Sequence, residues 1–413
     1  MLSNPVYDPY QILTKVYSGG THVKQAIAET YIEEINRSRT VKIVYGVLEN
    51  DGYFDYCIRA YAEKSPKLAV RTILKIALYM LLYMDKKRYM VTDCAVALCK
   101  KLGKSGASGF LNAFLRRFNE EEVVKKLEKE KDGESIRLSY PAYAYRWLKT
   151  EYGARAASIA SAKSAGLCVR FEKGKENYLE KPHIKTPFEH AFVFPNFVRD
   201  DGFDKGDYTF QSVGSIAICS VVKGGETLLD ACAAPGGKSV LLSKKFEQVT
   251  AFELHPHRVE LIRSYLKRMG ADNVSPIEKD STVFDPAFAE KFSAVLCDVP
   301  CSGFGTVSEN PDIKLFKTEG DFAAISKTQT AVLETCSRYV KKGGALYYST
   351  CSIFDFENGK VVEKFLQKHP EFELIEIDCA LAHEKKPYGL QFLPDTAFGA
   401  GFFVAAMRKK EGV

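Results

Sequence analysis

Residues 229–239 read "LDACAAPGGKS", and how this stretch is read decides the fold of the C-terminal half. An apolar run, "TLLDAC" (227–232), ends beside an acid, turns on glycines and enters "GGKSVLLSKKF", whose apolar spacing is helical. A Gly-rich junction between strand and helix lets backbone N–H groups approach a ligand at a helix N-terminus. The closing "GKS" invites a phosphate-loop reading, but that pattern requires glycine where Cys232 stands, and no G-x-G-x-x-G is present. Triphosphate binding therefore does not follow.

Downstream the alternation continues. "QVTAFEL" (248–254), "SPIEKD" (275–280), "SAVLCDVP" (293–300), "GGALYYSTC" (343–351) and "GFFVAAMR" (401–408) read as strands, with helical spacing between them. This pattern predicts a doubly wound α/β fold, a parallel sheet covered on both faces, whose ligands sit at the carboxyl ends of its strands. The second strand ends in Glu253, placed to accept hydrogen bonds from ribose hydroxyls, and the third in Asp280, placed to bond the exocyclic amine of an adenine. Either acid alone reads more readily as a helix cap; together with the loop from Cys232 to Lys238 they describe a cradle for an adenosine without phosphates. S-adenosyl-L-methionine is the common cofactor of that kind.

The fourth and fifth strands end in "DVPCSG" (298–303) and "STCS" (349–352), so each delivers a thiol, Cys301 and Cys351, to the ligand-binding edge. A thiol beside a methyl donor has a defined use: a thiolate adding to carbon 6 of cytosine converts the ring into an enamine able to take a methyl group at carbon 5. Asp298 is placed to bond or protonate the pyrimidine edge. Lys238 and Lys314 offer positive charge favouring a thiolate, or are ordinary surface lysines. Read alone, Cys301 is the natural nucleophile. Cys57, Cys94, Cys99, Cys168, Cys219, Cys297, Cys336 and Cys379 sit in apolar runs and read as small core residues.

Composition bounds these readings. At 413 residues, 46% hydrophobic and 27% charged, the chain has the make-up of a multidomain globular protein. No apolar stretch reaches the length of a membrane span, and "MLSNPVYDPYQ" lacks the features of a signal peptide, so a cytoplasmic protein is expected. The eleven cysteines are scattered without metal spacing, which favours reduced thiols and no metal site. Residues 1–150 carry a net charge of +8 and the remainder −2, so the N-terminal part either holds a polyanion or is a solvated basic surface.

That basic part is predicted to be all-helical. "TILKIALYMLLYM" (72–84) is apolar nearly all round and reads as a central buried helix; "TDCAVALCKKLG" (92–103), with Thr92 as cap, and "GFLNAFLRRF" (109–118) follow. "NEEEVVKKLEKEKDGES" (119–135) reads as a charged helix ending in a linker at Asp132-Gly133. Three domains are expected: a helical bundle at 1–135, a small α/β connector at 136–220, and the α/β domain at 221–413.

"LDACAAPGGKS", "DVPCSGFGTVSENPDIK" and "YYSTCSIFDFENGKVVEKFL" together resemble the NOL1/NOP2/Sun (Fmu) family of RNA cytosine-C5 methyltransferases. "ILKIALYMLLYM", "AVALCKKLG" and "SGFLNAFLRR" resemble the NusB-like RNA-binding domain carried by the members that act on 16S ribosomal RNA. The resemblance implies a Rossmann-like class I methyltransferase domain behind a NusB-like bundle, RNA as partner and a monomer without metal or membrane. It implies Cys351 as nucleophile, with Cys301 helping to resolve the covalent intermediate. Cys232, Ala233, Ala234, Pro235, Gly236, Gly237 and Lys238 match the cofactor loop, and Glu253, Asp280 and Asp298 the acids around it. The chain departs from the family pattern at Glu253, usually Asp, and at Glu172, Ser212 and Leu315 on the RNA side. Transfer RNA as substrate, or a non-catalytic ribosomal RNA assembly factor, are the alternatives.

Overall fold

The computed structural model describes residues 5–412. The described residues form two compact units: those up to 161 with 310–316, and 162–309 with those from 317 onward. Of the span expected as a connector, residues up to Ser161 fall in the first unit and the rest in the second.

The first unit is helical throughout. Its centre is α1 (Leu68–Tyr83), in which ten of the eleven residues from Val70 to Met80, all but Arg71, are buried. A helix apolar on all sides has no solvent face and becomes the core against which the others pack. Lys75 lies within this helix, 2% exposed, and its ammonium is matched by Asp51 at 2.6 Å and Asp55 at 3.0 Å; burial of an unmatched charge would be prohibitive. Next come α2 (Arg88–Lys101), α3 (Ser108–Arg117) and α4 (Glu120–Leu127), the last capped by the Asn119 side chain.

Two local expectations fail here. Thr92 is not the cap of α2: the helix starts four residues earlier, and the Thr92 hydroxyl donates to the Arg88 carbonyl at 2.8 Å inside it. Asp132-Gly133 is not a linker but the start of α5 (Gly133–Arg137). Gly133 packs so closely that a Cβ there would stand 2.3 Å from the Leu127 carbonyl oxygen. The stretch "PAYAYRWLKTEYG" (141–153) forms α6 (Ala142–Tyr152).

The second unit begins with a small antiparallel sheet in the order β2-β3-β1-β4, made of β1 (Leu167–Phe171), β2 (Ile184–Lys185), β3 (Ala191–Phe194) and β4 (Tyr208–Phe210). The chain then enters α7 (Val213–Val221), where the Ser212 side chain accepts the Ser215 N–H as N-cap.

The large sheet follows. Its parallel centre comprises β5 (Gly225–Asp230), β6 (Phe246–Glu253), β7 (Val274–Glu278), β8 (Phe292–Asp298) and β9 (Val340–Thr350), ordered β9-β8-β5-β6-β7. Beyond β9 the sheet turns antiparallel, through β13 (Phe402–Lys409), β12 (Gly389–Phe392) and β11 (Glu384–Lys386), with β10 (Phe372–Leu374) on the far half of β13. The sheet is thus mixed rather than parallel throughout: "GFFVAAMR" runs antiparallel to β9 on one side and, by way of the loop after β12, antiparallel to β12 on the other.

Alternation along the central strands feeds two cores. Leu228, Val249, Leu296 and Tyr347 pack on one face with α7, α8 (Gly237–Leu242) and α9 (Pro256–Met269); Leu229, Phe252, Val295 and Tyr348 pack on the other with α10 (Asp321–Ser337) and α11 (Gly359–Lys368). Covering both faces leaves the strand ends as the accessible edge, and the loops there carry the chemistry. Among the described residues no helix is long and apolar enough to cross a membrane.

Candidate active site

β5 ends in Asp230, 1% exposed, whose Oδ2 accepts the Ser239 hydroxyl at 2.6 Å. Burial pushes its carboxyl up to about 6, against the pull of that hydrogen bond. The serine of "GKS" therefore faces inward as a brace for the turn. Gly236 holds φ 103° at the N-cap of α8, a conformation that suits glycine, and its N–H donates to the Ala233 carbonyl at 2.7 Å. Ala231 and Ala233 tie the turn to neighbouring strands through Leu296 and Phe252 carbonyls, both at 2.9 Å.

Glu253, 4% exposed, closes β6; its Oε1 accepts the His255 N–H at 3.0 Å and faces Arg258 at 3.4 Å. Asp280 lies two residues past β7, and its Oδ1 accepts both the N–H and the hydroxyl of Thr282, at 2.8 and 2.7 Å. Both acids line one cavity of about 500 Å³ together with Cys232, Ala234, Asp298, Cys301 and Cys351. Ribose hydroxyls and an adenine amine are donors and need acceptors, which these two carboxylates supply; this pair of acceptors fits an adenosine-bearing cofactor. Ala233, Pro235, Gly237 and Lys238 instead line a neighbouring cleft of about 530 Å³ that shares Cys232, Ala234 and Asp298 with the first. Gly236 borders neither cavity; it shapes the turn.

β8 and β9 are adjacent and parallel, with Asp298 paired to Ser349. The Ser349 hydroxyl donates to Asp298 Oδ1 at 2.7 Å, and Lys238 Nζ stands 2.6 Å from Asp298 Oδ2. Burial works against the charge on Lys238, but the Asp298 carboxylate outweighs it and raises the ammonium above its usual value. Lys238 therefore balances Asp298. Lys314 belongs to the helical unit, where its Nζ donates to the Glu49 carbonyl at 2.8 Å.

Just beyond that pair the two chains turn, and Cys301 and Cys351 come together with their sulfurs 2.7 Å apart, longer than the ~2.05 Å bond of a disulfide. The Cys351 N–H donates to Cys301 Sγ at 3.2 Å. The neighbouring Cys351 sulfur, and then burial, raise Cys301 well above an ordinary thiol. Of the eight thiols expected in the core, Cys57, Cys99, Cys168, Cys219, Cys297 and Cys336 are buried, while Cys94 and Cys379 are half-buried. Burial pushes Cys57, Cys168 and Cys219 up to about 12.

Sequence reasoning missed the polar floor under the thiols. Glu357, Asn358, Gln329 and Gln391 are buried beneath the two Cys-Ser turns and bond to them. Glu357 stands in "FDFENGK" (354–360), where nothing in the sequence pattern sets it apart from Asp355. Of the departures from the family pattern, Ser212 caps α7, and Glu172 pairs with Lys244 and, at 3.4 Å, with the buried Arg170. Leu315 packs half-buried against the helical core.

Residues 218–408 match the family model described as 16S rRNA methyltransferase RsmB/F, and residues 10–120 match the NusB family. Both matches agree with the resemblance found in the sequence. A Bacillus subtilis protein described as a probable ribosomal RNA small subunit methyltransferase B is 29% identical over 94% of this chain and 94% of its own length. Ribosomal RNA small subunit methyltransferase B of Serratia proteamaculans is 26% identical over 92% of each. Among solved structures, PH0851 is similar over 99% of both chains with a TM-score of 0.82 at 22% identity. NSun6 from Pyrococcus horikoshii with SFG is similar over 65% of this chain and 98% of its own, with a TM-score of 0.54 at 18% identity. At these identities the structural likeness shows the fold alone.

Proposed function

With a methyltransferase domain of the RsmB/F family joined to a NusB-family domain, the chain is an S-adenosylmethionine-dependent RNA methyltransferase, and from that premise we propose that it methylates carbon 5 of a cytosine in small-subunit ribosomal RNA. The observation that carries the chemistry is the thiol pair, 2.7 Å apart at the ends of two adjacent strands and bordering the same cavity as Glu253 and Asp280.

In this reading the target base is unstacked into the strand-end cavity. Glu253 and Asp280 accept hydrogen bonds from the cofactor's ribose and adenine, and the loop from Cys232 to Lys238 backs it. The Cys351 thiolate, its proton lost to solvent, adds to carbon 6 of cytosine, so a C–S bond forms and electron density moves to carbon 5. Asp298 bonds the pyrimidine edge, and Lys238, kept positive by Asp298, stabilises the charge building on the ring. When bound, S-adenosylmethionine supplies the methyl group that carbon 5 takes. Cys301 then removes the carbon 5 proton; the C–H electrons restore the C5=C6 bond, the C–S bond breaks, and Cys351 leaves with its electron pair.

The coupling of the two thiols suits this order. While Cys351 is free, its sulfur is the largest cause holding the proton on Cys301. Once Cys351 is bonded to carbon 6 it is a neutral thioether, that cause disappears, and Cys301 ionises more readily when a base is needed.

The division of labour follows the chain: the basic helical domain (1–135) and the connector (136–220) hold RNA, the former through phosphate contacts that carry no sequence information, and residues 221–413 perform the transfer. Such a protein acts in the cytoplasm as a monomer. The test is incubation with S-adenosylmethionine and unmodified small-subunit ribosomal RNA or transfer RNA, followed by bisulfite sequencing. A single protected cytosine in the ribosomal RNA supports the proposal; protection confined to transfer RNA makes that the substrate, and no protection in either overturns it.

A further inference from the structure

We infer that Glu357 is a positioning residue that sets the spacing of the two thiols and acts chiefly through Cys301. The inference rests on the assignment of Cys301 to the release step.

Glu357 is fully buried, and its carboxylate takes four hydrogen bonds. Oε1 accepts the Ser302 N–H at 2.8 Å and Gln329 Nε2 at 3.1 Å; Oε2 accepts the Ser302 hydroxyl at 2.6 Å and the Ser352 hydroxyl at 2.5 Å. Ser302 and Ser352 are the residues immediately after Cys301 and Cys351, so one carboxylate grips both Cys-Ser turns. A buried carboxylate demands this many donors, because each unfilled acceptor site costs desolvation energy. That demand makes the grip stiff.

The two turns are not held equally. The Cys351 turn has anchors besides Glu357: the Ser352 carbonyl accepts Asn358 Nδ2 at 3.1 Å and Gln391 Nε2 at 3.2 Å, and the Cys351 carbonyl accepts the Gly305 N–H at 2.9 Å. It also directly continues β9, an eleven-residue strand. On the Cys301 turn, Ser302 sends both its N–H and its hydroxyl to Glu357, and Gln329 joins the same carboxylate to the Pro300 carbonyl at 3.1 Å. Loss of the carboxylate therefore loosens Cys301 far more than Cys351. Attack survives while release is impaired.

The experiment compares wild type, C301A, E357Q, S302A and the E357Q/C301A double variant on ribosomal RNA with S-adenosylmethionine, measuring protein–RNA adduct on denaturing gels. Circular dichroism and cofactor affinity by calorimetry establish that each variant is folded. E357Q is expected to accumulate adduct about tenfold or more over wild type, S302A less in the same direction, and the double variant no more than C301A, as for two residues acting on one step. If C301A traps adduct while folded E357Q and S302A do not, or if E357Q adds to the trapping by C301A, the positioning role is overturned. If C301A traps nothing, the release assignment falls first and the inference with it. Should E357Q fail to fold, S302A alone decides between these outcomes.

Discussion

Lys238 and Asp298, 60 residues apart in sequence, form an ion pair of 2.6 Å, with Asp298 lining both cavities at the strand ends and Lys238 one of them. The lysine ends the Gly-rich turn after β5 and the aspartate ends β8, so the pair exists only because β5 and β8 are neighbours in the sheet.

Replacing Asp298 with Asn removes the anion that keeps Lys238 protonated and a group proposed to bond the base. Methyl transfer is expected to fall about 10²–10³-fold in kcat/KM. Without the carboxylate, burial lowers the Lys238 pKa, so the residual activity should decline at a lower alkaline pH than in the wild type. A pH–rate profile of both proteins checks this; an unshifted alkaline limb would separate Lys238 from the chemistry.

Cys301 is raised first by the Cys351 sulfur and second by burial. Removing the neighbour in C351A should therefore lower the pH at which Cys301 is alkylated. Mass spectrometry of iodoacetamide-labelled peptides across pH 6–10, about one unit and more on each side of an ordinary thiol pKa, measures the midpoint. A midpoint unchanged in C351A contradicts the coupling on which the order of steps depends.

Asp230 has a folded-state pKa of about 6 against an ordinary value of 3.8. A carboxyl with a raised pKa favours the folded state most at low pH, and the contribution is lost as pH rises through 6. Between pH 5 and 8 this loss is about 1.4 kcal/mol. In D230N it is absent, so the stability of D230N relative to wild type should improve by about that amount over this range, as read from urea midpoints in the cofactor-free protein.

Gly305 lies four residues past Cys301, where a Cβ would stand 2.0 Å from the Gly401 carbonyl oxygen and 2.8 Å from that of Cys351. G305A should destabilise the protein by about 1–3 kcal/mol, and because the displaced atoms include the nucleophile's own carbonyl, activity at permissive temperature should fall as well. Thermal melts paired with single-turnover rates test both.

Much of this was legible in the sequence, and the parts that were not share physical causes. Four of the five parallel strands, β5, β6, β8 and β9, announced themselves as apolar runs because their carboxyl halves are buried on both faces, and the acids and thiols at their ends stood out against that background. The antiparallel margin of β10, β11 and β12 did not, because strands of three or four residues such as "EKK" (384–386) carry no periodicity. Thr92 and Asp132-Gly133 carry cap and turn chemistry, but packing against the helical core overrode it. Glu357 was invisible because burial of a carboxylate is set by donors contributed from Ser302, Gln329 and Ser352, and proximity of that kind emerges only in the fold. Lys314 looked like a neighbour of Cys301 in sequence, yet it binds the Glu49 carbonyl in the helical unit.

The central claim is that Cys351 attacks and Cys301 releases. Its most direct test is to incubate C351A and C301A with small-subunit ribosomal RNA and S-adenosylmethionine and to run both on a denaturing gel. A covalent protein–RNA band is expected for C301A, and neither band nor methylation for C351A. A band for C351A and none for C301A would reverse the roles and contradict the account.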